Sequence, residues 1–298
     1  MERLWNPICV ATLNADVDRV SLRAARHVLR EGFFSPDGAG LGLFTWPLGR
    51  IFDVARDYVE TRGGEVHTSI AVRRIRVGRD GVSAVELESG ETMEADAIVA
   101  AVPPWNLAAL VPETPLQSTL EAAAGLRWSP IVDVHLWFDR PVLDDDFVIA
   151  VDSELQSVFD VSRLHARDRS RREGRLSEGK SRKRLQPMEG VAHLVISQSA
   201  ADRWIGRPAD AIADELLAAL GDLVPRVRAA NLSRSLVIKH RRATFVSSPG
   251  CGDLRPLART SIGGLYLAGD WTATGWPSTI EGAIRSGVSA AAWAAAPE

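Results

Sequence analysis

Cysteine is nearly absent from this 298-residue sequence: Cys9 and Cys251 are its only two, far apart and in no C-x-x-C arrangement. That spacing argues against a disulfide framework and a zinc site, and it fits a reducing compartment. No stretch reaches the roughly 18 consecutive apolar residues of a membrane-spanning helix. Met1 leads into Glu2-Arg3-Leu4-Trp5-Asn6-Pro7 without the apolar core of a signal peptide, so a cytoplasmic protein is the expectation. His27, His67, His135, His165, His193 and His240 fall into no His-x-x-His or Glu-x-x-His pattern and accompany no Gly-x-Ser-x-Gly elbow, which leaves hydrolase and metal chemistry without support. A large excess of one charge is missing too. The net charge is -3, and nucleic acid is not an obvious partner.

What is present is a chain with 46% hydrophobic content, enough for a sizeable core and about two domains by length. Its basic residues are concentrated in residues 165–190, where nine Lys or Arg face four Asp or Glu, a net +5 against -8 for the remainder. This segment reads as a solvated, loop-like insertion. The alternative reading is a patch for anionic lipid headgroups, which would add peripheral membrane contact.

Before that insertion the pattern shifts from helical to extended. The first sixty residues read as helical, with Val17, Val20 and Ala24 on one face, a break at Phe34-Ser35-Pro36-Asp37-Gly38, and a second helix carrying Ile51, Val54, Ala55, Tyr58 and Val59 up to Gly63-Gly64. Gly38-Ala39-Gly40-Leu41-Gly42 looks like a dinucleotide loop, but Leu43 stands where a third glycine is needed and no strand precedes it. Short strands follow at Glu65–Thr68, Val72–Val77 and Val82–Glu88, turning at Asp80-Gly81 and Ser89-Gly90, and Ala97–Val102 closes this β-meander before Pro103-Pro104. Further strands are expected at Ile131–Phe138, near Ser157–Val161, at Val191–Ser197 and at Leu236–Phe245. Pro208 opens a helix with Ile212, Leu216, Leu217 and Leu220 on one face.

The most informative stretch is C-terminal. The apolar strand Leu265-Tyr266-Leu267-Ala268 stops on Gly269-Asp270-Trp271. A strand that ends on glycine lets a ligand approach the backbone, and Asp270 then lies at the strand's carboxyl end, where open α/β sheets bind nucleotides. An ordinary strand-turn-helix corner, with Asp270 as a turn residue, is the competing reading. Pro277, Ser278 and Glu281 predict a Ser-x-x-Glu capping box at the start of the next helix. Ile280, Ala283, Ile284, Gly287, Val288 and Ala291 predict the face that it buries. The free amides of such a helix start, with about half a positive charge, favour a carbonyl that becomes anionic, as in a flavin being reduced. Arg255-Pro256 reads first as a turn arginine and second as an anion-steering group.

Trp5-Asn6-Pro7 with the helices after it, the Gly63-Gly64-Glu65-Val66 to Pro103-Pro104 meander, Val134-His135-Leu136-Trp137-Phe138, and Leu267-Ala268-Gly269-Asp270-Trp271 through Ser286-Gly287 resemble the flavin-dependent amine oxidase and phytoene desaturase superfamily. The nearest branch is the squalene-associated one, hydroxysqualene dehydroxylase. The resemblance implies an α/β (α+β mixed) fold: an incomplete doubly wound FAD-binding domain interleaved with a mixed-sheet and helical substrate domain. Residues 1–60 and 105–245 would form the substrate domain, and 61–104 with 246–298 the FAD-binding domain. It also implies FAD as cofactor, with Val72 at the adenine edge, Gly269 and Asp270 at the ribityl chain and pyrophosphate, and Thr279 and Ile280 facing the pyrimidine carbonyl. Trp271 and Ser278 complete the expected cofactor set; no catalytic acid or base carries over.

The implied function is an FAD-dependent oxidoreductase acting on an isoprenoid lipid, with reductive dehydroxylation of hydroxysqualene first, and an amine oxidase or carotenoid desaturase second. The family's opening strand, Gly-x-Gly-x-x-Gly turn and helix are not in this sequence. A truncated gene model, a split enzyme with a partner chain, or a decayed remnant are the expectations that follow. In the last two, a non-catalytic subunit that binds isoprenoid without flavin is the rival function.

Overall fold

The computed structural model describes residues 3–35, 40–111, 113–166 and 191–296. Most of the basic segment 165–190 and the first half of the glycine loop at 38–42 lie outside the described residues. In chain order the elements are α1 (Trp5–Leu13), α2 (Leu22–Gly32), α3 (Arg50–Glu60), β1 (Val72–Val77), β2 (Val82–Leu87), β3 (Thr92–Glu94), β4 (Ile98–Ala100), α4 (Pro104–Leu110), α5 (Glu113–Ala124), β5 (Trp128–Phe138), β6 (Phe147–Ile149) and β7 (Ser157–Asp160). They continue through a helical stretch at 161–166 (α6), β8 (Ala192–Gln198), α7 (Asp202–Ile205), α8 (Ala209–Leu223), β9 (Leu232–Phe245), β10 (Leu265–Leu267) and α9 (Ile280–Ala294). The chain is a mixed α/β protein.

It divides into two compact units. The first comprises Met1–Asn14, Pro36–Val66 and Ser129–Ala243; the second comprises Ala15–Ser35, His67–Trp128 and Thr244–Glu298.

The first unit is built on a five-stranded sheet of order β6-β7-β8-β5-β9. From Pro130 onward β5 alternates, and Val132, Val134, Leu136 and Phe138 join Leu194 and Ile196 of β8 in one core. α8 closes that core with Ile212, Leu216 and Leu220, the four-residue spacing of one helix face. Burying each such side chain contributes about 1.5–3 kcal/mol.

On the opposite face of the sheet, Trp137 and His193 are register partners with rings stacked at 4.4 Å and 8°. His135 Nδ1 lies 3.0 Å from His193 Nε2, so one ring donates its proton to the other. Both imidazoles are less basic than usual because burial disfavours their charged form; His193 falls to about 4, with His135 as its second cause.

The second unit holds two small sheets. β1, β2 and β3 form an antiparallel meander, while β10 pairs with β4 in parallel, Leu265 opposite Ile98 and Leu267 opposite Ala100. The meander is joined to the start of β10 backbone to backbone. Val82 N donates to Gly263 O at 2.9 Å, and a Cβ on Gly81 would fall 2.3 Å from that same oxygen. Ile75, Leu107, Leu116, Phe245, Leu267 and Trp271 share this unit's core.

Several sequence expectations change. Glu65–Thr68 is not a strand, and β3 was not anticipated because three exposed residues carry no alternation. Val17 and Val20 precede α2, whose cap is Ser21, its hydroxyl accepting from Ala24 N at 3.2 Å.

An imidazole whose folded pKa lies below its unfolded value, about 6.5, adds its stability only while neutral. Its contribution is therefore whole above that value and is lost as pH falls through it toward about 4. We expect the urea midpoint of the wild type to fall between about pH 7 and pH 4, and His193→Phe, which keeps a ring on Trp137, to flatten that fall; equal slopes would refute the coupling.

Candidate functional site

β10 runs buried to Leu267 and Ala268 and then meets Gly269, whose φ of 134° is a conformation that side chains rarely adopt. A Cβ there would lie 2.6 Å from Nε1 of the buried Trp271. Trp271 is pinned in turn, its Nε1 donating to Val102 O at 3.0 Å, and Gly269 N donates to Ser286 Oγ on α9 at 2.7 Å. Thr272 closes the turn by donating from its amide (3.1 Å) and its hydroxyl (2.9 Å) to Gly269 O.

The predicted capping box does not form. Thr279 is the N-cap, its hydroxyl accepting from Gly282 N at 3.0 Å. Ser278 Oγ donates instead to the Asp270 carboxylate, and Glu281 accepts from Arg285 Nε at 2.7 Å. The expected start of the helix thus stands to within a residue while its chemistry differs.

The buried face is also not the one expected. Gly282, Ser286 and Ala290 are buried, and Ile280, Ile284 and Val288 are 55%, 54% and 66% exposed. Small residues face β4 and β10 because close helix–sheet packing needs little side-chain bulk. The amides of Ile280 and Glu281, in the first turn, meet no acceptor among the described residues.

Asp270, Trp271, Ser278, Thr279 and Ile280 are therefore brought together around the strand end and the helix start. Val72 is not tied to them by any hydrogen bond among the described residues; it opens β1 opposite Leu87. None of the expected site residues lines the cavity of about 800 Å³ beside this segment, which is bounded by α2, residues 247–255 and the loop 273–277.

The residue that links the two features is Arg255. Its Nη1 donates to Trp276 O at 2.7 Å, and its Nη2 to Asp270 O at 2.8 Å and Thr274 Oγ1 at 3.0 Å, with Cζ 4.7 Å from the centre of the Phe245 ring. Burial makes this guanidinium less basic than usual. Reading Arg255 as a turn residue missed this clamp; the Arg-Pro pair so close to β10 was the available signal.

The family profile described as "Flavin containing amine oxidoreductase" matches residues 31–294. The chain belongs to that family. Its membership agrees with the expected superfamily and with a flavin-dependent oxidoreductase. The soybean (Glycine max) 15-cis-phytoene desaturase is 30% identical over 78% of this chain, and the chain spans 39% of that relative's length. The hydroxysqualene dehydroxylase of Sinorhizobium fredii is 28% identical over 97% of the chain and 61% of the relative. Among solved structures, cyclohexylamine oxidase from Brevibacterium oxydans superposes with a TM-score of 0.64 at 18% identity, covering 98% of this chain and 63% of that one. That likeness carries the fold. Among the described residues no group of three or more His, Cys, Asp or Glu could hold a metal, and no helix is long and apolar enough to cross a membrane.

Gly269→Ala should destabilise the protein by about 1–3 kcal/mol, the order of a strained backbone residue. Thr279→Ala should cost about 0.5–2 kcal/mol as a lost N-cap. Urea unfolding of both variants checks this; a Thr279→Ala midpoint equal to that of the wild type would refute Thr279 as the cap.

Proposed function

We propose that the chain forms part of an FAD-dependent oxidoreductase acting on an isoprenoid lipid, with reductive dehydroxylation of hydroxysqualene to squalene as the leading reaction. The observation that carries the reading is the open start of α9. Two first-turn amides without acceptors lie at the far end of the loop that follows a strand ending in Gly269-Asp270, and Ser278 ties that loop back to Asp270. Such a start suits a ring carbonyl that gains negative charge.

In this reading Asp270, oriented by the Ser278 hydroxyl, holds the ribityl end of the cofactor. Thr279 caps the helix and so leaves the Ile280 amide aimed outward, Trp271 fixes the strand end, and Val72 takes the adenine edge. Residues 61–104 and 246–298 form the cofactor-binding part in this reading, and 1–60 with 105–245 the substrate part. Bound FAD supplies the two-electron redox step; the protein residues named here orient it and complement its charge. The reading includes a glycine-rich phosphate-binding turn from outside this sequence, as a partner chain or as further sequence of the same protein.

The isoprenoid class is supported by the desaturase and dehydroxylase relatives. A carotenoid desaturase is the second reading, favoured by the 30% identity to the soybean desaturase.

Titration of the full chain with FAD should quench flavin and tryptophan fluorescence saturably. Asp270→Ala should weaken that binding about 10- to 100-fold, the scale of a lost hydrogen bond to a charged group. Reduced enzyme given hydroxysqualene should yield squalene by mass spectrometry. Absence of FAD binding, even with a glycine-rich unit supplied, would overturn the cofactor site; FAD binding with desaturated carotenoid as product would move the reading to the second reaction.

A further inference from the structure

The cavity of about 800 Å³ in the second unit is lined by four guanidinium groups. Arg23, Arg26 and Arg30 come from α2 at three- and four-residue spacing, which sets them along one side of the helix. They span about 10 Å at 1.5 Å rise per residue. The fourth is Arg255, whose Nε is buried without a hydrogen-bond partner, as is Nε2 of His27. His27 packs edge-on against Trp276 at 4.6 Å, and burial lowers its pKa so that it stays neutral near pH 7.

Acidic groups do not balance the cluster. Asp253 is the one carboxylate in the lining, and Glu31 draws on Arg30 at 2.7 Å. Arg23 and Arg26 make no ion pair among the described residues. A carboxylate offers two oxygens to such an array, whereas a phosphoryl group, and a diphosphate above all, offers enough to engage several planar guanidinium forks at once.

We propose that this cavity is an anion site that takes a phosphoryl group, carried by a soluble diphosphate or by the headgroup of an anionic lipid, and that it is separate from the residues expected to hold FAD. Arg23 and Arg26 are its main ligands, Arg30 assists from the next turn, and Arg255, held by the loop through both terminal nitrogens, adds its positive charge from the wall. The site rests on residues of one unit and does not depend on the flavin reading. Nothing in a hydrocarbon such as squalene would use these charges, so a phosphoryl-bearing ligand is an addition to the isoprenoid chemistry.

Calorimetric titration of the full chain with inorganic diphosphate tests the site. Saturable binding is expected, weakening as salt screens the cluster. Arg23→Ala/Arg26→Ala should lower the affinity at least about tenfold, since each removes a charge-assisted contact, and Arg23→Lys/Arg26→Lys should recover much of it. Both arginines are exposed, so the melting temperature should not move and loss of binding would not reflect unfolding. Sedimentation with phosphatidylcholine vesicles, with and without phosphatidic acid, separates the two sources. Vesicle binding that diphosphate displaces identifies a headgroup, and diphosphate binding alone identifies a soluble ligand. No saturable heat, an affinity unchanged in the double alanine variant, or displacement of diphosphate by FAD at equal stoichiometry would overturn the proposal. FAD binding itself is read from flavin fluorescence without diphosphate, so loss of one site leaves the other standing.

Discussion

The guanidinium of Arg255 holds the 270–276 loop from three sides, through Asp270 O, Thr274 Oγ1 and Trp276 O. A loop of this kind has few backbone partners of its own, and each carbonyl would otherwise need water or strain to satisfy it. Placing a charge among these oxygens costs desolvation, which three hydrogen bonds and the Phe245 ring offset. The position of Ser278 against Asp270, and through it the entry into α9, follows from that clamp. The loop that leaves the strand end and the wall of the arginine-lined cavity therefore share one side chain.

α9 shows how packing decides a helix face when hydrophobicity alone would choose otherwise. The large aliphatics Ile280, Ile284 and Val288 form the more apolar stripe, yet Gly282, Ser286 and Ala290 are the ones against the sheet. A two-stranded parallel sheet of short strands offers a narrow surface, and small residues let the helix axis come close to it. Ser286 then does something an alanine could not, accepting the Gly269 amide and so tying the helix to the strand end.

Much of the fold was legible in the sequence where one physical signal dominated. The two-residue alternation of β5 and β8 and the four-residue spacing of Ile212, Leu216 and Leu220 located the sheet and its covering helix to within a few residues. The strand ending on Gly269 was equally legible, since an apolar run that stops at glycine and aspartate has few other readings. Long-range polar choices were not legible. Ser278 had two partners within reach, Glu281 along the chain and Asp270 across the turn, and only the three-dimensional loop decides between them. The arginines of α2 were invisible for the same reason: an exposed basic helix face looks like ordinary solvation until residues 247–255 and 273–277 are folded against it.

The backbone junction between Gly81 and Gly263 bears on how the second unit can move. With carbonyl and amide in direct contact and no side chain between them, there is nothing at the crossing that can rotate away to relieve a shift. The turn between β1 and β2 and the approach to β10 are therefore held at a single backbone separation, and any side chain at either glycine would force them apart.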